Sequence, residues 1–206
     1  MRVRLLCEGG LDGRIGAVGE SRGAAVIILH RLISENVGRQ LDLGEILAGR
    51  LPRLTRGGGL RRKIKLAIAE AESDGGVDSL VVLVDRDKPE YNNRLSELET
   101  GITECAGAEI ASRTVAGMAI EELEAWLIAD HDLLTSKFEV AKGELRNPEG
   151  QKDPKTIFQR VLQAAGHDRA EGYDLVASKV NFTTVEAKCR AFKRFASGVR
   201  GKLTER

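Results

Sequence analysis

Five consecutive apolar residues, Leu80 to Val84, run without interruption into two carboxylates one residue apart, Asp85 and Asp87. A strand with no polar residue on either face has to be covered on both, which is the condition of an interior strand in a parallel sheet, and the β-branched Val81, Val82 and Val84 suit it. Parallel neighbours need long crossovers, usually helices. This stretch therefore constrains the chain to an α/β sheet with two covered faces. Its carboxyl end is acidic, and in open α/β sheets ligands bind beyond the carboxyl ends of the strands. Residues i and i+2 of a strand point to the same side, so Asp85 and Asp87 can face one ion.

The remaining segments supply the partners such a strand requires. Val3 to Cys7 is a short apolar run stopped by Glu8-Gly9-Gly10, a strand that also delivers a carboxylate to its end. After a glycine-rich stretch, Ala24, Ala25, Ile28, Leu29, Leu32 and Ile33 recur at helical spacing. Residues 38–56 fit either a short helix or a strand. Leu60 to about Glu72 reads as a helix with a basic amino end, and a further helix is expected from about Asn92 to Cys105. Glu109 to Val115 reads as a third strand, which Met118 to Ile120 can extend. Glu121 to Ala129 reads as a helix, with Glu121 and Glu124 on one face and Leu123, Trp126 and Leu127 on the core-facing stripe. Asp130 falls on a different face, placed to cap a helix starting near Asp132. A polar, turn-rich segment, 139–154, precedes two closing helices at about Lys155 to Ala165 and Thr183 to Ser197.

Alternation of strand and helix is the pattern of a doubly wound, Rossmann-like, mainly parallel sheet with helices on both faces. The chain divides into an α/β core, 1–138, and a C-terminal helical extension, 139–206, packed on it. At 206 residues, 42% of them hydrophobic, it is long enough to bury a sizeable core. The formal charge of +1 means that affinity for nucleic acid must come from a local basic patch. Cys7, Cys105 and Cys189 lack paired metal-ligand spacing and suit free thiols in a reducing compartment. No signal-peptide run opens the sequence and no apolar segment is long enough to cross a bilayer, so a cytoplasmic location without membrane contact is expected.

Carboxylates end several apolar segments: Glu8, Asp85, Asp87, and the pair Glu121 and Glu124. With parallel strands these converge on one edge, where their mutual repulsion favours protonation unless a cation relieves it. Mg²⁺ (or Mn²⁺) suits such a site, because it takes a few carboxylates and keeps waters for substrate phosphates. Two-metal phosphodiester cleavage needs this inventory. Taken singly, each acid is also explained as an ordinary strand or helix terminus. Among the cations, Arg56, Arg61, Arg62, Lys63 and Lys65 could clamp a nucleic-acid backbone, and a solvated helix end accounts for them equally well. Lys152 and Lys155 flank a proline turn near which a scissile phosphate could lie, whereas Lys188, Arg190, Lys193 and Arg194 read as an exposed face beside core residues Phe192 and Phe195.

Cys7-Glu8-Gly9-Gly10, the strand ending Val84-Asp85-Arg86-Asp87, and Glu121-Glu-Leu-Glu-Ala-Trp-Leu-Ile-Ala-Asp130 together resemble the Toprim (topoisomerase-primase) superfamily. The resemblance is closer to the bacterial Toprim-like proteins of domain-of-unknown-function family 4276. It implies a Mg²⁺-dependent nuclease in which Glu8, Asp85, Asp87 and Glu124 are catalytic and hold the metal, with Glu121 as a further ligand. It also implies DNA or RNA as substrate, contacted by Arg61, Arg62, Lys63 and Lys155, and a role in bacterial defence against phage or plasmids. Relatives carry a second acid soon after the first Glu-Gly, for which Asp12 and Glu20 are the alternatives here. The related OLD-type nucleases include an ATPase domain. This chain has no Gly-x-x-x-x-Gly-Lys-Ser/Thr loop, so an ATPase would be a separate partner. A homodimer is the expected assembly if the chain self-associates.

Overall fold

The computed structural model describes residues 1–8, 23–37, 41–54, 59–86, 90, 92–138 and 147–203. Asp12, Glu20, Arg56 and Asp87 lie outside the described residues. Four strands, β1 (Val3–Cys7), β2 (Ile46–Arg50), β3 (Ser79–Asp85) and β4 (Thr114–Ala119), form one sheet in the order β2-β1-β3-β4. All three pairings are parallel, with Leu5 beside both Ala48 and Val81, and Val82 beside Ala116. As its unbroken apolar run requires, β3 is interior, and Leu80 to Val84 are all buried.

Helices cover both faces. In chain order they are α1 (Ala24–Val37), α2 (Leu60–Asp74), α3 (Arg94–Thr103), α4 (Glu109–Ser112), α5 (Glu124–Leu127), α6 (His131–Phe138), α7 (Pro154–Ala164), α8 (Arg169–Lys179), α9 (Phe182–Lys188) and α10 (Arg190–Leu203). Side chains alternate along each strand, and the two resulting faces carry separate cores. Val3, Leu5, Cys7, Val81, Leu83 and Val115 pack with α1 and the C-terminal helices, including Phe158, Val185, Phe192 and Phe195. Leu6, Leu80, Val82 and Val84 pack with Ile64 and Ile68 of α2, Leu98 of α3 and Ile110 of α4. The fold is thus α/β and doubly wound, with a C-terminal helical stretch on one face. Among the described residues no helix is long and apolar enough to cross a membrane.

Several elements differ from the sequence expectation, each for a tertiary reason. Residues 38–56, left open above, contain a 3₁₀ turn at Leu43–Glu45 and the edge strand β2. Glu109–Ser112 is helical instead of extended because the Glu72 carboxylate of α2 accepts the Glu109 and Ile110 N–H groups, at 3.2 and 2.9 Å; the strand begins only at Thr114. The helix expected from Glu121 starts at Glu124, since Glu121 sits at φ 62°, a left-handed conformation that ends regular structure. The single closing helix is two, α9 and α10, broken at Cys189 where Glu149 accepts the Arg190 and Ala191 N–H groups at 2.9 and 3.0 Å. Helix α8 escaped notice because its buried positions, Gly172, Tyr173, Val176 and Ala177, include few large aliphatic residues.

Candidate functional site at the carboxyl edge of the sheet

Strand β1 leads to α1 on one face of the sheet, and β3 leads to α3 on the other. The connections therefore diverge between the carboxyl ends of β1 and β3, the topological switch point at which open α/β sheets leave a crevice. Asp85 ends β3, and Glu8 is the residue that follows β1. Helices α2 and α3 return antiparallel to the strands, so their first turns come back to this edge and bring Lys63 and Arg94 with them.

Glu8 and Asp85 share the edge but point to opposite faces. Cys7 is in register with Leu83, so by alternation Glu8 leaves on the face of Leu6 and Val82 while Asp85 leaves on that of Val81 and Leu83. Their contacts agree. The Glu8 carboxylate pairs with Lys63 of α2 at 3.3 Å and with the guanidinium of Arg94 at the start of α3. Burial lowers the pKa of the Arg94 guanidinium from its usual value, an effect opposed by nearby Glu97. Asp85 accepts the Leu123 N–H at 3.1 Å, fastening the segment after β4 to the end of β3. Arg86, next along, pairs with Glu121, and only 17% and 12% of these two side chains is exposed. The Arg86 Nε is buried without a hydrogen-bond partner among the described residues, so a donor is left over near this edge.

Glu124 follows directly on Leu123, the residue whose N–H Asp85 accepts. It is 3% exposed, and its carboxylate accepts the hydroxyl of Tyr173 on α8. Burial, and then the neighbouring Glu124 charge, push the Tyr173 hydroxyl far above its usual pKa and keep it protonated. Asp130 caps α6 through the Leu133 N–H at 3.1 Å, as its position suggested, and its other oxygen accepts the Asn181 N–H at 2.8 Å. Trp126 stacks on Phe195 and meets Phe192 edge-on, with ring centroids at 5.6 and 5.1 Å. The Glu-Ala-Trp-Leu-x-x-Asp stretch is thus the seam that binds the C-terminal helices to the sheet.

Of the expected nucleic-acid contacts, Lys63 reaches the crevice. Arg61 and Lys65 instead turn to Glu104, just past the end of α3, and Arg62 is exposed. The Lys155 N–H donates to Glu122, whose carboxylate lies 3.6 Å from the Lys155 Nζ. Arg86 and Arg94 carry charge into the site yet were not singled out in the sequence. Arg94 had a usable signal, since the first turn of a helix following a parallel strand returns to the ligand-binding edge.

Among the described residues no three His, Cys, Asp or Glu side chains converge to hold a metal ion. Glu8 and Asp85 do not by themselves make a metal centre, and Asp87 lies outside the described residues.

Fold and site together define a doubly wound parallel α/β protein whose switch point carries ion-paired side chains, Glu8 with Lys63 and Arg94, and Arg86 with Glu121. The sequence profile of the family described as a domain of unknown function, DUF4276, matches residues 24–200, and the chain belongs to that family. No curated protein and no solved structure matches it. The matched span holds Asp85, Asp87 and the Glu124 segment and starts after Glu8.

Proposed function

We propose that the crevice between β1 and β3 binds and cleaves the phosphodiester backbone of DNA or RNA with Mg²⁺ or Mn²⁺. One observation carries this reading: the switch point is flanked by Glu8 and Asp85, while Lys63, Arg94 and Arg86 place positive charge around them. Carboxylates alone would suit a cation and cations alone an anion; their mixture suits a phosphate brought in with its counter-ion. The resemblance to Toprim proteins, through Glu8, Asp85 and Asp87, points the same way. In this proposal Asp85 and Asp87 are the cation ligands, and Glu8, on the other face of the sheet, holds Lys63 and Arg94 at the edge where phosphate arrives. A bound divalent cation would neutralise phosphate charge and favour attack by water. Lys63, Arg94 and the spare Arg86 donor take the phosphate oxygens, and Lys155 and Arg62 extend the track outward. Glu121 orients Arg86. Glu124, buried against Tyr173, supports the site instead of touching substrate. Defence against phage or plasmids, with a separate ATPase as partner, is the setting we propose for this activity.

Plasmid nicking by purified protein in Mg²⁺ or Mn²⁺ tests the reading. Asp85→Asn and Asp87→Ala should each reduce the metal-dependent rate by ~100-fold or more, the scale on which loss of one electrostatic stabiliser is felt. Full nicking by both variants would refute it. A second reading, a non-catalytic metal- or ATPase-binding module, is favoured by the use of Glu124 and Asp130 in packing. It predicts calorimetric cation binding without nicking, even when the ATPase is supplied.

A further inference from the structure

The two lateral edges of the sheet are finished differently. Leu80 N–H donates to Arg113 and Arg86 N–H to Ala119, at 3.3 and 2.8 Å, so the odd-numbered residues flanking and within β4 serve β3. Thr114, Ala116 and Met118 consequently turn their backbone groups outward. That edge is blunted. Lys202 of α10 donates to the Thr114 carbonyl at 2.9 Å, and Ile102 and Thr103 of α3 face Arg194 and Gly198 of α10 across the groove along it.

On the other side, Leu51 N–H donates to Cys7 at 3.1 Å, so Leu47 and Gly49 face β1 while Ala48 and Arg50 turn their N–H and C=O groups outward; at Ile46 only the C=O is outward, because its N–H donates to the Leu43 carbonyl. Among the described residues strand β2 has β1 as its sole neighbour in the sheet, and it contains neither lysine nor proline. We propose that this edge pairs antiparallel with β2 of a second copy about a two-fold axis at Ala48, joining two sheets into one continuous sheet.

Three features of the strand suit a copy of itself. The axis sets outward residues against outward residues: Ala48 against Ala48, which exchange two backbone hydrogen bonds, and Ile46 against Arg50, where the Arg50 N–H donates to the Ile46 carbonyl. Leu47, at 37% exposure one of two exposed large hydrophobics among the described residues, falls opposite Gly49 of the second copy, which brings no side chain of its own and has Leu6 of β1 beside it as an apolar neighbour. The segment starts acidic, with the exposed Asp42, and ends basic, with the exposed Arg50 and Arg53, while Glu45 is already paired with the N-terminal ammonium at 3.0 Å. Antiparallel pairing lays each acidic start beside the other copy's basic end. The two switch-point crevices then open at opposite ends of the joined sheet. None of this depends on the chemistry proposed for the crevice.

Sedimentation equilibrium of the full chain tests the pairing. Wild-type protein should run at twice the chain mass. Ala48→Pro removes an outward N–H that the chain's own ladder does not use, a position where edge strands tolerate proline; it should run at the single mass with an unchanged circular dichroism spectrum. Leu47→Lys, which leaves the backbone alone, should also halve the mass. A monomeric wild type, or a dimer that persists in Leu47→Lys and in folded Ala48→Pro, would overturn the proposal.

Discussion

A buried carboxylate must share hydrogen bonds or take up a proton, and Glu124 shares one with Tyr173. Sequence spacing marks Glu124 as an acid beside an apolar stripe, and burial decides what the acid does. Losing the acceptor leaves a buried hydroxyl unsatisfied, at a cost of ~1–3 kcal/mol. Glu124→Ala should therefore lower urea-unfolding stability by that amount or more, whereas Glu124→Gln, which keeps an acceptor, should lose less and retain whatever nicking the wild type shows. Loss of cation binding in Glu124→Gln at unchanged stability would return the residue to the metal set. Glu8 teaches a related lesson. Its place at a strand end was legible in the sequence, but its ion pairs with Lys63 and Arg94 join residues far apart in the chain, which no local pattern displays.

Strands and helices with strong periodicity were legible: β1, β3, α1, α2 and α3 follow from apolar runs and spacing. Boundaries set by a remote acid were not. Glu97 of α3 accepts the Leu60 N–H at the start of α2, Glu72 starts α4, and Glu149 starts α10. In each case the capping side chain comes from a different element, so the motif of a cap a few residues upstream is missing. Glu149 bears a cost for this service. Burial raises its pKa above the ordinary 4.5, against the Arg190, Ala191 and Phe192 N–H groups and the Arg190 charge that lower it. A raised folded-state pKa means that the stability linked to this proton is present below pH 4.5 and is lost as pH climbs through the folded value. Glu149→Gln removes the ionisation but leaves one acceptor oxygen where the carboxylate has two, so it keeps only one of the Arg190 and Ala191 hydrogen bonds. The lost acceptor is a constant offset, so the melting midpoint of the variant should gain on that of the wild type from pH 4 toward pH 7; a difference that does not move with pH counts against burial as the controlling effect.

Across the whole molecule, β1 is the strand on which the architecture turns. It pairs with β2 on one side and β3 on the other, and those two do not pair with each other. Val3, Leu5, Leu6 and Cys7 are all buried, and burying each aliphatic one is worth ~1.5–3 kcal/mol, a sum comparable to the ~5–15 kcal/mol net stability of a domain. A fragment spanning 24–206 should therefore show helical circular dichroism but no sigmoidal melt; a cooperative transition in that fragment would contradict the assignment. The doubly wound class was readable from one apolar run and its acidic end. The opposite facing of Glu8 and Asp85 was not, because it depends on a register that only pairing defines. The span by which the family is recognised begins at residue 24, beyond β1. Whoever trims the protein to that span removes the keystone of its arch, and keeps every stone the keystone was holding apart.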